Sequence, residues 1–180
     1  STKKTNCPYC SGLKTLVGLN DLKTTHPTLA KQADGWNPSE FKAGSNIKKS
    51  WKCEKGHKYL SSIEKRATRG QGCPTCSNQK ILKGFNDLKT TNPKLASEAD
   101  GWDPSEVFAN TRKSLNWKCA KGHKYKSAGY SRSAGSGCPI CANKKVLAGF
   151  NDLATTHPNL ASEAVGWDPS TVTFGMGGIK

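Results

Sequence analysis

The sequence predicts a string of small α+β modules, each stapled by a metal ion and built from a β-hairpin plus short helices. Three observations predict it. A phrase with metal-ligand spacing occurs twice, as WKCEKGHKY at 51–59 closing with CPTC at 73–76, and as WKCAKGHKY at 117–125 closing with CPIC at 138–141. The chain aligns on itself with a period of 65–66 residues. Only 34% of its 180 residues are hydrophobic, too little for one large core, so small modules held by metal replace it.

Each phrase supplies four ligands. Cys53 and His57 have three residues between them, as do Cys119 and His123, and each pair is completed by a C-x2-C turn, Cys73 with Cys76 and Cys138 with Cys141. The two halves are separated by 15 and 14 residues, which is how a tetrahedral three-cysteine, one-histidine zinc site is assembled from two tight turns. With four donors and no open coordination position, both zinc ions are expected to be structural. A secreted disulfide framework could also use eight cysteines, but it does not explain a histidine at a set distance after each isolated cysteine. The start, STKKTNCPYC, has no apolar signal region, and no stretch approaches the roughly 18 apolar residues of a membrane span. A reducing cytoplasm, close to the nucleoid, is the expected setting.

The repeat is marked by GLNDLKTTHPTLA at 18–30, GFNDLKTTNPKLA at 84–96 and GFNDLATTHPNLA at 149–161, each followed by Gly-Trp at 35–36, 101–102 and 166–167. The expected division is 1–10, the closing half of a truncated module; 11–76 and 77–141, two complete repeats of helical spacer plus zinc module; and 142–180, a third spacer whose zinc ligands are missing. Cys7 and Cys10 match only the closing half of a site, a partial third centre at most. The chain therefore reads as a fragment of a longer array.

Within a repeat, Trp51–Cys53 and His57–Tyr59 flank the turn Glu54-Lys55-Gly56 and form a β-hairpin presenting the first ligand pair, with Gly56 and Gly122 permitting the turn. The second strand is expected to run on through 60–66. The turn TRGQG then delivers Cys73, and Pro74 opens a short helix that holds Cys76 and continues toward Leu82. Such a module is treble-clef-like or zinc-ribbon-like. In the spacer, Asp21 caps a turn, and a helix starts at Thr25 or His26, has Pro27 in its first turn and ends near Gly35. Leu29, Ala30 and Ala33, repeated as Leu95, Ala96 and Ala99, form one face of that helix. Trp36 and Trp102 are expected beneath it, with Trp51 and Trp117 walling the zinc sites. His26, Asn92 and His157 share one repeat position. Since asparagine stands there beside a complete ligand set, the position is a helix start and not a ligand.

Charge singles out a partner. The chain carries 28 Lys+Arg against 13 Asp+Glu, a formal +15, and two three-thiolate zinc sites lower it only to about +13. Residues 48–80 hold nine bases and two acids, and residues 112–145 hold nine bases and no acid, whereas 84–107 and 149–172 are acidic. Basic surface thus follows the zinc modules, which points to a nucleic acid. The candidate contacts are Lys48, Lys49, Lys52, Lys58, Ser61, Glu64, Lys65, Arg66 and Arg69 in the first module, and Arg112, Lys113, Lys118, Lys124, Lys126, Ser127, Tyr130 and Arg132 in the second. Ser61/Ser127 and Arg66/Arg132 recur while their neighbours change from LSSIEKR to KSAGYSR. In a modular reader the recurring arginines would grip phosphate, and the changing positions, with the loops 43–50 and 109–116, would meet base edges.

Together NDLxTTHPxLA, GWDPS, WKCxxGHxY and GxGCPxC resemble the zinc-ribbon tandem repeats of bacterial, especially actinobacterial, and phage proteins. The resemblance spans nearly the whole chain. It implies repeated zinc modules and suggests DNA binding, sometimes in company with nuclease domains of mobile elements. Its ligands carry over to Cys53, His57, Cys73 and Cys76, and to Cys119, His123, Cys138 and Cys141.

The leading expectation is a monomeric, non-enzymatic array binding duplex DNA sequence-selectively, with the spacers setting the pitch of the modules. Two others stand beside it. RNA or single-stranded DNA could stack on Tyr59, Tyr125 and Tyr130, and zinc ribbons also serve as protein-interaction scaffolds. An enzyme would need a catalytic histidine and further acidic ligands, and both module histidines are spent on zinc.

Overall fold

A computed structural model of the chain describes residues 7–9 and 14–176. The chain divides into two compact units, Ser1–Lys80 and Ile81–Lys180. Both are built on the same plan, and the second unit also contains the third spacer.

In the first unit the spacer opens with Asp21, which is fully buried. Its carboxylate accepts from Gly18 N at 2.6 Å, Thr24 N at 3.0 Å and Thr24 Oγ1 at 2.7 Å, and so starts helix α1, Leu22–Thr25. The helix expected from Thr25 or His26 to Gly35 does start after His26, as α2, Pro27–Ala30, but it stops at Ala30, and the turn capped by Asp21 is itself the separate short helix α1, with His26 between the two at φ −138°, ψ 64°. The cause is Pro27, whose ring drives the preceding residue out of the helical region. His26 is then the cap of α2, as its shared position with Asn92 implied. Past Ala30 the chain keeps turning, with Gln32 N donating to Leu29 O at 3.0 Å and Ala33 N to Ala30 O at 3.1 Å, and Ala33 then bridges to Trp51. A 3₁₀ turn at Pro38–Glu40 follows, capped by Asn37.

Strands β1, Lys48–Lys52, and β2, Lys58–Ser62, pair antiparallel with Trp51 opposite Tyr59. The second strand does not continue to 66. At Ser62 the chain turns into helix α3, Ile63–Ala67, and Ser62 Oγ caps it by accepting from Lys65 N at 3.4 Å. Ile63, fully buried, drops into a core with Leu22 and Trp51. Beyond Cys73 the expected helix is only a tight turn: Ser77 N donates to Cys73 O at 3.0 Å and Gln79 N to Pro74 O at 2.8 Å, and between them Asn78 stands in the left-handed region at φ 55°. Asparagine tolerates that conformation, and it ends helical propagation.

The second unit repeats these elements as α4 (Leu88–Thr91), α5 (Pro93–Ala96), β3 (Ser114–Lys118), β4 (Lys124–Ala128) and α6 (Gly129–Ser133). Trp117 stands opposite Tyr125, and Ala99 bridges to Trp117. The third spacer adds α7 (Leu153–Thr156) and α8 (Pro158–Ala161). No helix among the described residues is long and apolar enough to cross a membrane.

The tryptophans organise each core. Trp51 and Trp117 are fully buried and give their indole N–H to Ser61 O at 3.0 Å and Ser127 O at 2.9 Å. Trp36 and Trp102 stand edge-on to them, centroids 5.0 and 5.1 Å away. Trp51 and Trp117 are core residues, and Trp36 and Trp102 are half-buried against them. Trp167 is not a core residue, being 42% exposed.

Candidate metal centres and basic clefts

The hairpin tip brings Cys53 and His57 together because Cys53 N donates to His57 O at 3.1 Å and Gly56 N to Cys53 O at 2.8 Å, with Gly56 at φ +82°. A side chain would strain that left-handed position. The closing turn delivers Cys73 and Cys76 to the same point. Cys53 Sγ lies 3.6 Å from His57 Nδ1 and 3.9 Å from Cys76 Sγ, and His57 Nδ1 lies 3.3 Å from Cys76 Sγ and 3.7 Å from Cys73 Sγ. The second centre matches it: Cys119 to Cys141 3.9 Å, His123 Nδ1 to Cys141 3.2 Å and to Cys138 3.7 Å. A tetrahedral ion with bonds of about 2.3 Å to sulfur and about 2.1 Å to nitrogen spaces its donors roughly 3.5–3.8 Å apart. Each tetrad therefore fits a zinc ion, held by three sulfurs and one Nδ1.

The thiols themselves call for a dication. Burial pushes the Cys53 thiol up, but hydrogen bonds from the His57 and Lys55 backbone and from Cys76 and Cys73 outweigh it, and the net shift is downward. Cys119 behaves the same way. Burial and the neighbouring sulfurs push Cys76 and Cys141 up to about 11. Such a cluster cannot hold three thiolates near neutral pH without a cation to offset their repulsion, and Zn²⁺ supplies it. Of the proposed partial third centre, Cys7 is exposed and Cys10 lies outside the described residues.

The spacer that follows the second tetrad is tied to its closing turn. Asn151, nearly fully buried, donates to Ile140 O at 2.9 Å and Lys145 O at 3.0 Å and accepts from Leu147 N at 2.7 Å. Asn20 makes the matching bonds, donating to Tyr9 O at 2.9 Å and Lys14 O at 3.0 Å. Sequence reasoning misses this role. Its signal is the asparagine preceding every capping aspartate, Asn20, Asn86 and Asn151.

The sequence-predicted nucleic-acid residues divide into two groups. Lys48, Lys52, Lys58, Lys65, Arg69, Arg112, Lys113, Lys118, Lys124, Lys126 and Tyr130 are on the surface. Lys58 pairs with Asp34 at 3.2 Å, Lys124 with Asp100 at 3.4 Å, and Arg69 with Glu64 at 2.7 Å. Lys49 leans over the Phe41 ring, 4.3 Å from its centre. Ser61 and Ser127 are half-buried, and their carbonyls are used by the core tryptophans.

Arg66 and Arg132 require a correction. Arg66 donates to Gln71 O and Gln32 Oε1, and its guanidinium covers Trp51 and Tyr59 at 5.4 and 5.6 Å. Arg132 donates to Ser136 O, pairs with Glu98 and covers Trp117 and Tyr125 at 5.5 and 5.6 Å. The Arg132 side chain is 7% exposed. Both recur because they lock the hairpin to its short helix and spacer, so their donors are not presented to phosphate. A strand running to 66 would have carried them outward, and helices α3 and α6 turn them inward instead.

In the first unit Lys48, Ser61, Glu64, Lys65 and Arg69 line one cleft of about 500 Å³ between β2 and the closing turn. In the second unit Lys124, Lys126 and Lys145 line a cleft of about 540 Å³ against Tyr125 and Pro139. Lys145 belongs to the basic run 112–145, but only the fold sets it beside the strand lysines.

Paired metal tetrads on β-hairpins with short helices define a tandem zinc-finger protein of small α+β modules. The family model described as "Probable Treble clef zinc finger domain" matches residues 29–79 and 96–144, more than half of the chain, and the chain belongs to that family. No curated protein matches it.

Proposed function

We propose that the protein binds duplex DNA as a monomer, through the basic clefts beside its zinc sites, with zinc in a structural role. One observation carries the reading: nine bases against two acids fall in 48–80 and nine against none in 112–145, while 84–107 and 149–172 are acidic, and in each unit three of these bases line one cleft, Lys48, Lys65 and Arg69 beside Glu64 in the first, Lys124, Lys126 and Lys145 beside Asp100 in the second. With Arg66 and Arg132 committed to the frame, phosphate contacts fall to these lysines and to Arg69. A complete four-donor site leaves zinc no position for a reacting water, which supports binding over catalysis. The setting in this reading is the nucleoid.

Burial of the tyrosines favours a duplex over a single strand. Of the three candidates for base stacking, Tyr125 is buried, Tyr59 is half-buried, and only Tyr130 is open, 53% exposed. Base-stacking platforms need open ring faces.

The test is fluorescence anisotropy with duplex DNA, single-stranded DNA and RNA of equal length, over a range of salt. Duplex should bind tightest, and Lys65→Ala with Arg69→Ala should lower the salt slope by about one for each phosphate no longer held. Affinity for duplex that ignores salt would overturn the reading, and tighter binding to RNA or a single strand would transfer it to those ligands.

A further inference from the structure

The register of each hairpin divides it into two sides, because residues opposite one another across an antiparallel pair point the same way. In the first hairpin Trp51 and Tyr59 share the side that packs on the core, so the neighbouring pairs, Ser50 with Leu60 and Lys52 with Lys58, share the outer side. In the second, Trp117 and Tyr125 face the core, and Asn116 with Lys126 and Lys118 with Lys124 face outward. The pair nearest the tip is two lysines in both modules, all four exposed. The next pair differs in both of its residues.

That outer side is the basic surface the two modules have in common. The short helices do not provide one: α3 carries Lys65 outward, but the one base of α6 is Arg132, which is turned inward. A ribbon of two strands about 5 Å apart can enter the major groove of B-DNA, about 12 Å wide, and read base edges with its side chains. The varied pair lies at the clefts assigned to phosphate, with Leu60 lining the first and Asn116 and Lys126 the second. The acids on this side, Asp34 and Asp100, are paired with Lys58 and Lys124 and so carry their own counter-ions.

The two versions of the pair suit different bases. Ser50 is committed, since its Oγ donates to Asp34 Oδ2 at 3.1 Å. This leaves Leu60, at 74% the most exposed large hydrophobic residue described in the first unit. An apolar side chain on a basic ribbon matches the apolar group of the major-groove code, the C5 methyl of thymine. Asn116 is exposed, and its side-chain amide makes no hydrogen bond among the described residues. Such an amide matches N6 and N7 of adenine with two hydrogen bonds. Resting on the reading of the protein as a duplex binder, we propose that each hairpin enters the major groove by its outer side and that this one pair sets base preference, Leu60 selecting thymine and Asn116 selecting adenine, while the lysines around it hold phosphate.

The experiment uses the zinc-loaded full chain and a duplex selected from random sequence at physiological salt. Uracil, which lacks only the methyl, is placed at each thymine in turn, and 7-deazaadenine, which lacks N7, at each adenine. One uracil position should weaken binding about fourfold, the worth of a buried methyl group, and one deazaadenine position about tenfold. Leu60→Ala should abolish the first effect alone, and Asn116→Ala the second alone. Ser50→Asn with Leu60→Lys, which gives the first hairpin the pair of the second, should turn the selected site into two copies of its adenine-containing half with both zinc ions retained. A selected site unchanged by that exchange, base effects that survive the alanine variants, or a random pool that yields no preferred site would overturn the proposal and leave duplex binding standing. Loss of duplex binding itself in the salt titration would overturn both.

Discussion

Phe150 stands edge-on to His123, with ring centroids 4.2 Å apart and planes at 69°, so a zinc ligand of one repeat is held by the first residues of the next. Phe150→Ala should therefore release zinc faster to a chelator from the second site alone, by about tenfold, at the low end for removing an outer support of a metal ligand. Phe150→Leu should restore most of the retention by keeping apolar cover on the imidazole. The readout is chelator-resolved zinc release, with the first site as internal standard, and unchanged release from the second site would count against the contact.

A buried carboxylate gives the spacers an acid-sensitive point. Burial pushes the Asp87 carboxyl up, but hydrogen bonds from the Thr90 side chain and from Thr90 N and Gly84 N outweigh it and hold the pKa below the ordinary value. A lowered pKa means that the stabilisation is complete above about pH 4 and is lost as pH falls through the folded value. Asp87→Asn, which removes the charge, should be less stable than wild type at pH 6, and the difference should shrink as pH falls below about 4. Comparing both proteins at each pH cancels proton competition at the zinc thiolates. A difference that stays constant down to pH 3 would show that the charge is not what stabilises the cap.

The metal centres are legible in the sequence because ligand spacing is a local property: a Cys-x3-His tip and a Cys-x2-Cys turn converge whatever lies between them. The hairpins and the capping aspartates are legible for the same reason. Where each element stops is not. The helix that Pro27 opens stops at Ala30 and not near Gly35, and Ser62 ends a strand and left-handed Asn78 stops the turn after Cys73, local effects that periodicity over a short segment does not register. The recurring Arg66 and Arg132 are misplaced by sequence reasoning because recurrence reports constraint and not its kind. Only the turn into α3 and α6, with Gln32 and Glu98 brought alongside from 34 residues away, identifies it as a constraint on the frame.

Those two arginines make unequal pairs, and the inequality is testable. Arg132 meets the carboxylate of Glu98, and Arg66 meets the neutral amide of Gln32. Arg132→Ala leaves a partly buried carboxylate uncompensated and should cost about 2–3 kcal/mol, whereas Arg66→Ala removes hydrogen bonds and ring contact worth about 1–2 kcal/mol. Adding Glu98→Gln to Arg132→Ala should recover part of the loss in denaturant unfolding. Neither arginine variant should change the salt slope of DNA binding while the module remains folded. A slope reduced by one would return that arginine to the phosphate contacts.

Gly129 begins α6 at the position that Ile63 fills in the first repeat, and its requirement is for space. A Cβ built there meets Thr111 Cγ2 at 2.5 Å and the Thr111 carbonyl oxygen at 3.2 Å. The backbone at that point is fixed, since Tyr130 N donates to Thr111 O at 2.9 Å, and a β-branched threonine has few rotamers in which to move its methyl away. Two effects oppose each other in Gly129→Ala. Less conformational freedom in the unfolded chain stabilises by about 0.4–1 kcal/mol, and overpacking destabilises by about 1–3 kcal/mol. With a backbone atom among the contacts, overpacking wins, and the variant should lose about 1–2 kcal/mol in zinc-loaded unfolding. Thr111→Ser removes the Cγ2 methyl and keeps the hydroxyl that accepts from Lys113 N at 3.3 Å. Combined with Gly129→Ala, it should recover about 1 kcal/mol, giving a favourable coupling in the double-mutant cycle. Additive losses would mean that the cost of alanine does not arise at Thr111 Cγ2.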